Sequence, residues 1–140
     1  MKWEKIIKAA AGVAGAVAGW FGGWSTALTI LVIAMAVDYV SGLAVAACGR
    51  SPKTRAGGLS SKAGFVGIAR KGFIMLIVLL ATLLDEALGG ARVFQTAAAM
   101  YYIANEGLSI LENAALLDVP IPARLRGALE ELKGSAERDE

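Results

Sequence analysis

The chain has 140 residues, of which 56% are hydrophobic, and its mean hydropathy of +0.59 is higher than a water-soluble domain usually carries. Lysine and arginine number 14 against 12 acidic residues, so the net charge is only +2. The single cysteine, Cys48, excludes an intramolecular disulfide. Because there is also no histidine, zinc binding and imidazole-based catalysis are disfavoured, and we expect neither a cofactor nor an enzyme.

The first apolar segment covers residues 6–21 and is rich in alanine and glycine. Three lysines lie before or at its start, as in a secretory signal peptide: Lys2, Lys5 and Lys8. A second long apolar segment follows almost at once, which favours a retained first membrane span over a cleaved leader. Tryptophans near its ends are expected to lie at the membrane interface: Trp3, Trp20 and Trp24.

Small residues recur at a spacing of four in this segment, at Gly15, Gly19 and Gly23. Such GxxxG spacing allows two helix backbones to approach closely in lipid, so we interpret these glycines as helix-packing residues. The alternative is a coincidence that follows from the biased composition.

The second segment, residues 26–48, is long enough to span a bilayer and carries Asp38 near its middle. An isolated charge at that depth costs about 2.5–3.5 kcal/mol on insertion scales. Asp38 is therefore expected to face other helices or water, or to be protonated. The alternative is a structural carboxyl that forms buried hydrogen bonds.

A basic connector follows over residues 49–71 and contains no acidic residue. Its six cations are Arg50, Lys53, Arg55, Lys62, Arg70 and Lys71. Lysine and arginine favour the cytoplasmic side of a membrane, so we interpret these residues as topology determinants that contact anionic headgroups. We expect no binding to nucleic acid.

Two further apolar segments, residues 72–88 and 93–117, precede a polar tail over residues 118–140. Four spans place both termini and the connector in the cytoplasm, in agreement with the positions of the basic residues. We therefore predict a single all-α domain over residues 1–140. It is a polytopic protein of the bacterial inner membrane, built from helical hairpins with three to four spans, four being favoured.

The fourth segment carries a polar stripe at helical spacing: Asn105, Glu106, Ser109, Glu112 and Asn113. Such a face is too polar for lipid, so we interpret it as lining a pore or lumen. A dry helix–helix contact and a helix lying on the membrane surface are the alternatives. From depth alone, we expect Arg70 and Lys71 to pair with Glu112.

The tail begins with Pro120 and Pro122, which end the preceding helix. Residues 123–133 then follow an amphipathic pattern, with leucines on one face at Leu125, Leu129 and Leu132. We predict a short cytoplasmic tail helix there, and frayed residues over 134–140.

Residues 37–133 resemble the toxin-secretion and phage-lysis holin family, and in particular its clostridial TcdE-like group. The resemblance rests on these residues: Asp38, Tyr39 and Gly42; Ser60, Ser61, Lys62 and Gly64; Gly67 and Lys71; Tyr101, Ile103, Asn105, Glu106, Ser109, Ile110, Leu111, Glu112 and Asn113; and Pro120, Ile121 and Pro122. The alanine- and glycine-rich first segment departs from the family pattern.

This resemblance implies a homo-oligomer that opens lesions in the cytoplasmic membrane and releases an endolysin or a large toxin without binding it stably. In that function the polar stripe would line the lesion and Asp38 would couple to it. Two alternatives stay open. One is a small channel or carrier that binds a proton or cation at Asp38 and Glu106; the other is a non-conducting adaptor or antiholin that recruits a partner through its tail helix.

Overall fold

The computed structural model describes residues 1–138 and consists of five helices, with no strand in that range. The helices are α1 (Lys2–Trp20), α2 (Thr26–Ala47), α3 (Ser61–Ala87), α4 (Val93–Leu116) and α5 (Ala123–Arg138). The all-α prediction is therefore confirmed. Two of the described helices, α2 and α3, are long and apolar enough to cross a membrane; the favoured count of four spans stays a prediction.

The third helix begins at Ser61, so the predicted connector over residues 49–71 is wrong in its second half. Ser60 lies in extended backbone and its side chain accepts a hydrogen bond from the Ala63 amide, which caps the helix at this point. Glycine and charge in residues 61–71 obscured the helix in the sequence. Three of the six connector cations, Lys62, Arg70 and Lys71, consequently lie on α3.

Helix α4 packs against α2, α3 and α5 and forms the centre of the bundle. It runs in the same direction as α2: the Gln95 side chain donates to the Phe21 carbonyl at one end (2.9 Å), and Arg50 donates to the Leu116 carbonyl at the other (3.1 Å). Helix α3 runs in the opposite direction between these ends. The apolar core is formed by Phe21, Leu28, Leu31, Met35, Ile74, Val78 and Ala99.

The first helix, α1, has no buried residue. A Cβ atom placed on Gly15 or Gly19 would meet nothing within 4 Å, so no other part of residues 1–138 is in contact with these two positions. Gly23 lies beyond the end of α1, in a turn with φ +96°. The spacing from Gly19 to Gly23 therefore does not describe a helical face, whereas Gly15 and Gly19 stay open for contact with another molecule.

The tail helix α5 folds back along α4. Leu129 lies against Gly107, and Lys133 Nζ donates to Asn105 Oδ1 at 3.4 Å and lies 5.7 Å from the centre of the Tyr101 ring. The helix continues to Arg138, so the expectation of frayed ends is wrong for residues 134–138; residues 139–140 lie outside the described part of the chain. Packing against α4 provides the stability that the tail's composition alone did not indicate.

Candidate functional site

Three charged side chains from three helices meet inside the bundle. Lys71 Nζ lies 2.7 Å from Asp38 Oδ2 and 2.5 Å from Glu106 Oε2. Side-chain exposure is 17% for Lys71, 10% for Asp38 and 5% for Glu106, so solvent screens the cluster only slightly. One ammonium between two carboxylates leaves a formal charge of −1 when all three groups are ionised.

Asn113 connects this triad to the end of the bundle. Its amide nitrogen donates to Asp38 Oδ1 (3.3 Å), to the Asp38 carbonyl (3.3 Å) and to Ser41 Oγ (2.9 Å). The Ser41 hydroxyl in turn donates to the Asp38 carbonyl at 3.0 Å. Asp38 is thus held from two sides, by an ammonium on α3 and by an amide on α4, which fixes the orientation of its carboxylate.

The triad forms one wall of a cavity of about 530 Å³ that lies between α2, α3, α4 and the 48–60 loop. Residues from all the sequence elements before Pro120 that carry the holin resemblance line this cavity: Asp38, Tyr39, Gly42, Ser60, Lys62, Gly64, Gly67, Lys71, Asn105, Glu106, Ser109 and Asn113. Elements that are separated by up to 75 positions in the chain therefore converge on one place. The cavity is the candidate functional site.

Two glycines on α3 make room for Tyr39 of α2. A Cβ atom on Gly64 would lie 3.3 Å from the Tyr39 hydroxyl oxygen, and one on Gly67 would lie 3.4 Å from Cε2 of the same ring. The hydroxyl donates to the Gly64 carbonyl at 3.5 Å. Small residues at these two positions let α3 approach the tyrosine, and this contact sets the distance between α2 and the start of α3.

The structure brings together five of the six predicted intramembrane polar residues: Asp38, Asn105, Glu106, Ser109 and Asn113. Glu112 is the exception, because it is exposed and does not line the cavity. The expected pairing of Glu112 with Arg70 or Lys71 is wrong, since Lys71 is engaged by Asp38 and Glu106. Lys71 lies level with Glu106, six positions before Glu112 on α4, so the estimate of depth was wrong as well.

The six predicted topology cations have different surroundings. Lys53, Arg55, Lys62 and Arg70 line the cavity and are exposed, whereas the Lys71 ammonium belongs to the triad. Arg50 binds Asp118 at 2.6 Å, and this hydrogen bond raises the pKa of the guanidinium. Arg50 therefore ties the loop after α2 to the turn after α4, two segments that the positive-inside rule places on one side of the membrane.

A second polar cluster at the opposite end of the bundle was missed in the sequence. Asp85 accepts hydrogen bonds from the amides of Phe94 (2.9 Å) and Gln95 (2.8 Å), and so caps the first turn of α4. The Gln95 amide nitrogen donates to Thr82 Oγ1 at 2.7 Å as well as to Phe21. The feature of the sequence that could have indicated this cluster is Gln95, a lone glutamine at the start of an apolar segment.

The Arg92 side chain strengthens this end by donating to the Gly22 carbonyl. The α1–α2 turn and the α3–α4 turn therefore meet, as expected of two segments on the same side of a membrane.

Among residues 1–138, no group of three or more acidic, histidine or cysteine side chains could hold a metal ion. Between Asp38 and Glu106, the position that a cation would take is filled by the Lys71 ammonium.

Comparison with known proteins gives a consistent result. A model of the bacteriophage holin family matches residues 15–134. An uncharacterised protein of Clostridium perfringens strain 13 is 42% identical over 113 residues, which cover 80% of this chain and 78% of that protein. An uncharacterised protein of Halalkalibacterium halodurans is 35% identical and is covered to 94%, with 96% of this chain aligned.

A probable holin of Bacillus phage phi105 is 42% identical over 65 residues, which cover 46% of this chain and 48% of that protein. No solved structure matches the chain. The holin resemblance that was inferred from the residues is thereby confirmed, and holins are membrane proteins without enzymatic activity. Because the family model covers most of its length, the chain belongs to the bacteriophage holin family.

Proposed function

We propose that copies of this chain associate in the cytoplasmic membrane, with both termini inside the cell, and open lesions that release an endolysin or a large toxin. The supporting observation is that the molecule has two incompatible surfaces at the same depth. One is apolar and the other is highly charged. A single copy surrounded by lipid cannot satisfy both.

The apolar surface is formed by the outer faces of α2 and α3. Its large exposed side chains include Ile33, Val37 and Val40 on α2 and Phe73, Leu76, Leu80 and Leu83 on α3. This pattern suits contact with acyl chains, because exposed apolar patches of this extent are rare on soluble monomers. We assign this face to the lipid.

The charged surface is formed by α5 on its side away from α4. Its exposed charged residues are Arg124, Glu130, Glu131, Glu137 and Arg138. Lys133 lies level with Asn105, which is eleven residues before the end of α4 at Leu116, or about 16 Å along a helix. If α4 spans the bilayer, α5 therefore lies beside it within the hydrocarbon depth, where each charge costs about 2.5–3.5 kcal/mol.

Association of several copies removes this conflict. If the α5 faces turn toward a shared centre, their charges meet water or one another while the α2 and α3 faces stay in lipid. A closed ring of such copies would enclose a polar lumen. Asn105 of the polar stripe accepts from Lys133 of α5, so movement of α5 away from α4 would add Asn105 to the lumen wall.

The two rival functions are less well supported by these contacts. A cation carrier requires a vacant carboxylate pair, whereas Lys71 fills the space between Asp38 and Glu106. An adaptor requires a free apolar face on the tail helix. In this fold, Leu129 packs on Gly107 and Leu132 is half-buried, and only Leu125 of the three tail leucines is exposed.

The proposal is tested by induced expression in a bacterium that also produces a cytoplasmic endolysin. Wild type is compared with Glu106→Gln and with Glu112→Gln, a matched control on the same helix outside the triad, at equal membrane levels. We expect abrupt, endolysin-dependent lysis with wild type and the control, and delayed or absent lysis with Glu106→Gln. A wild-type chain that causes neither lysis nor entry of a membrane-impermeant dye would refute lesion formation.

A further inference from the structure

We propose that the cavity beside the triad binds the phosphate group of one anionic phospholipid. This inference rests on the placement of α2 and α3 in a membrane, and it is independent of lesion formation. It goes beyond a general attraction between basic residues and headgroups, because it names one site with a stoichiometry of one lipid per copy.

The cavity wall carries an excess of positive charge. Five cations and two carboxylates line it, and the two carboxylates are both bound by Lys71. The other four cations, Lys53, Arg55, Lys62 and Arg70, have no ion pair within residues 1–138. Four unpaired like charges around one cavity repel one another, and a bound anion would relieve that repulsion.

The N-terminus of α3 also lies at the cavity. Ser60, Ala63 and Gly64 line the cavity, and they belong to the cap and first turn of a helix of 27 residues. The Ala63 and Gly64 amides are already bound by the Ser60 side chain and carbonyl, so this end contributes the positive end of the helix dipole, which favours a phosphate oxygen. The cap of α3, the loop cations Lys53 and Arg55, and Arg70 further along α3 all line the same cavity.

The apolar part of the cavity identifies a lipid as the source of the phosphate. Leu43, Leu59 and Val66 line the cavity and are also exposed on the outer surface, at 39%, 66% and 54%. The cavity is thus continuous with the apolar faces of α2 and α3. A phospholipid whose phosphate is bound by the cations would place its acyl chains beside these three residues. Free phosphate would leave the three apolar side chains uncovered.

The site is tested with the full-length protein in nanodiscs of phosphatidylcholine that contain a small fraction of phosphatidylglycerol. Native mass spectrometry measures how many phosphatidylglycerol molecules the protein retains. The cavity variant is Lys62→Gln/Arg70→Gln, and the control is Lys5→Gln/Lys8→Gln, which removes the same charge from α1, outside the cavity. All four side chains are exposed, and circular dichroism checks that both variants keep their helix content.

We expect wild type and the control to retain one phosphatidylglycerol, with retention by the cavity variant weaker by at least about tenfold. Equal weakening in the control would overturn the site, because the effect would then depend on net charge alone. Displacement of the lipid by millimolar inorganic phosphate would overturn the assignment to a phospholipid. An absence of lysis in the endolysin assay, by contrast, would leave this result unchanged.

Discussion

Removal of the Lys71 ammonium should destabilise the bundle more than any other single charge deletion. In Lys71→Met the side chain keeps its length and apolar contacts, but Asp38 and Glu106 lose their shared partner. Both carboxylates are at most 10% exposed, so water cannot replace the ammonium. Removing one partner of a buried pair costs about 3–5 kcal/mol, and here two anions are left facing each other.

The same geometry predicts an asymmetry between the members of the triad. Glu106→Gln leaves Asp38 and Lys71 as a neutral pair, and the amide oxygen can still accept from the ammonium. Its expected cost is therefore the weakening of one hydrogen bond whose acceptor has lost its charge, below about 3 kcal/mol. Lys71→Met should cost less in the Glu106→Gln background than in wild type, because only one carboxylate is then left without a partner.

These free energies are measured by reversible unfolding of the purified protein in mixed micelles, titrated with a denaturing detergent and followed by circular dichroism. Lys8→Met, which changes an exposed lysine of α1 that has no ion pair within residues 1–138 and does not line the cavity, is the control and should change stability by less than about 0.5 kcal/mol. A loss below about 1 kcal/mol for Lys71→Met, or a larger loss for Glu106→Gln, would show that the triad does not hold the three helices together.

Two further perturbations address the other contacts of α4. Asp85→Ala removes the acceptor for the Phe94 and Gln95 amides and should lower the free energy of unfolding by about 1–2 kcal/mol in the same titration, whereas an unchanged midpoint would argue against the cap. Gly107→Ala places a Cβ atom 3.0 Å from two methyl carbons of Leu129 and should expose α5 to faster proteolysis. Gly127→Ala, where the added atom meets nothing within 4 Å, is the control and should be cut no faster than wild type.

Properties that depend on one segment at a time could be predicted from the sequence. Apolar runs predicted helices, and the bounds of three of the four predicted segments agree closely with α1, α2 and α4. Local composition misled the interpretation at residues 61–71, where glycine and charge interrupted the apolar pattern although Ser60 supplied a helix cap, and at residues 134–138, which belong to α5. Membership of the holin family could also be predicted from the sequence, because the family's motifs are short patterns of residues in chain order.

Which polar groups meet was decided by the tertiary structure. Glu106 and Glu112 are six positions apart on α4, and helical spacing placed both in one stripe, yet only Glu106 faces Lys71. Which face of α4 Lys71 contacts depends on how closely α3 approaches α2. The contact of Tyr39 with Gly64 and Gly67 sets that distance. A periodic pattern determines which residues share a face of a helix; the partner of that face is determined by packing between helices that are distant in the chain.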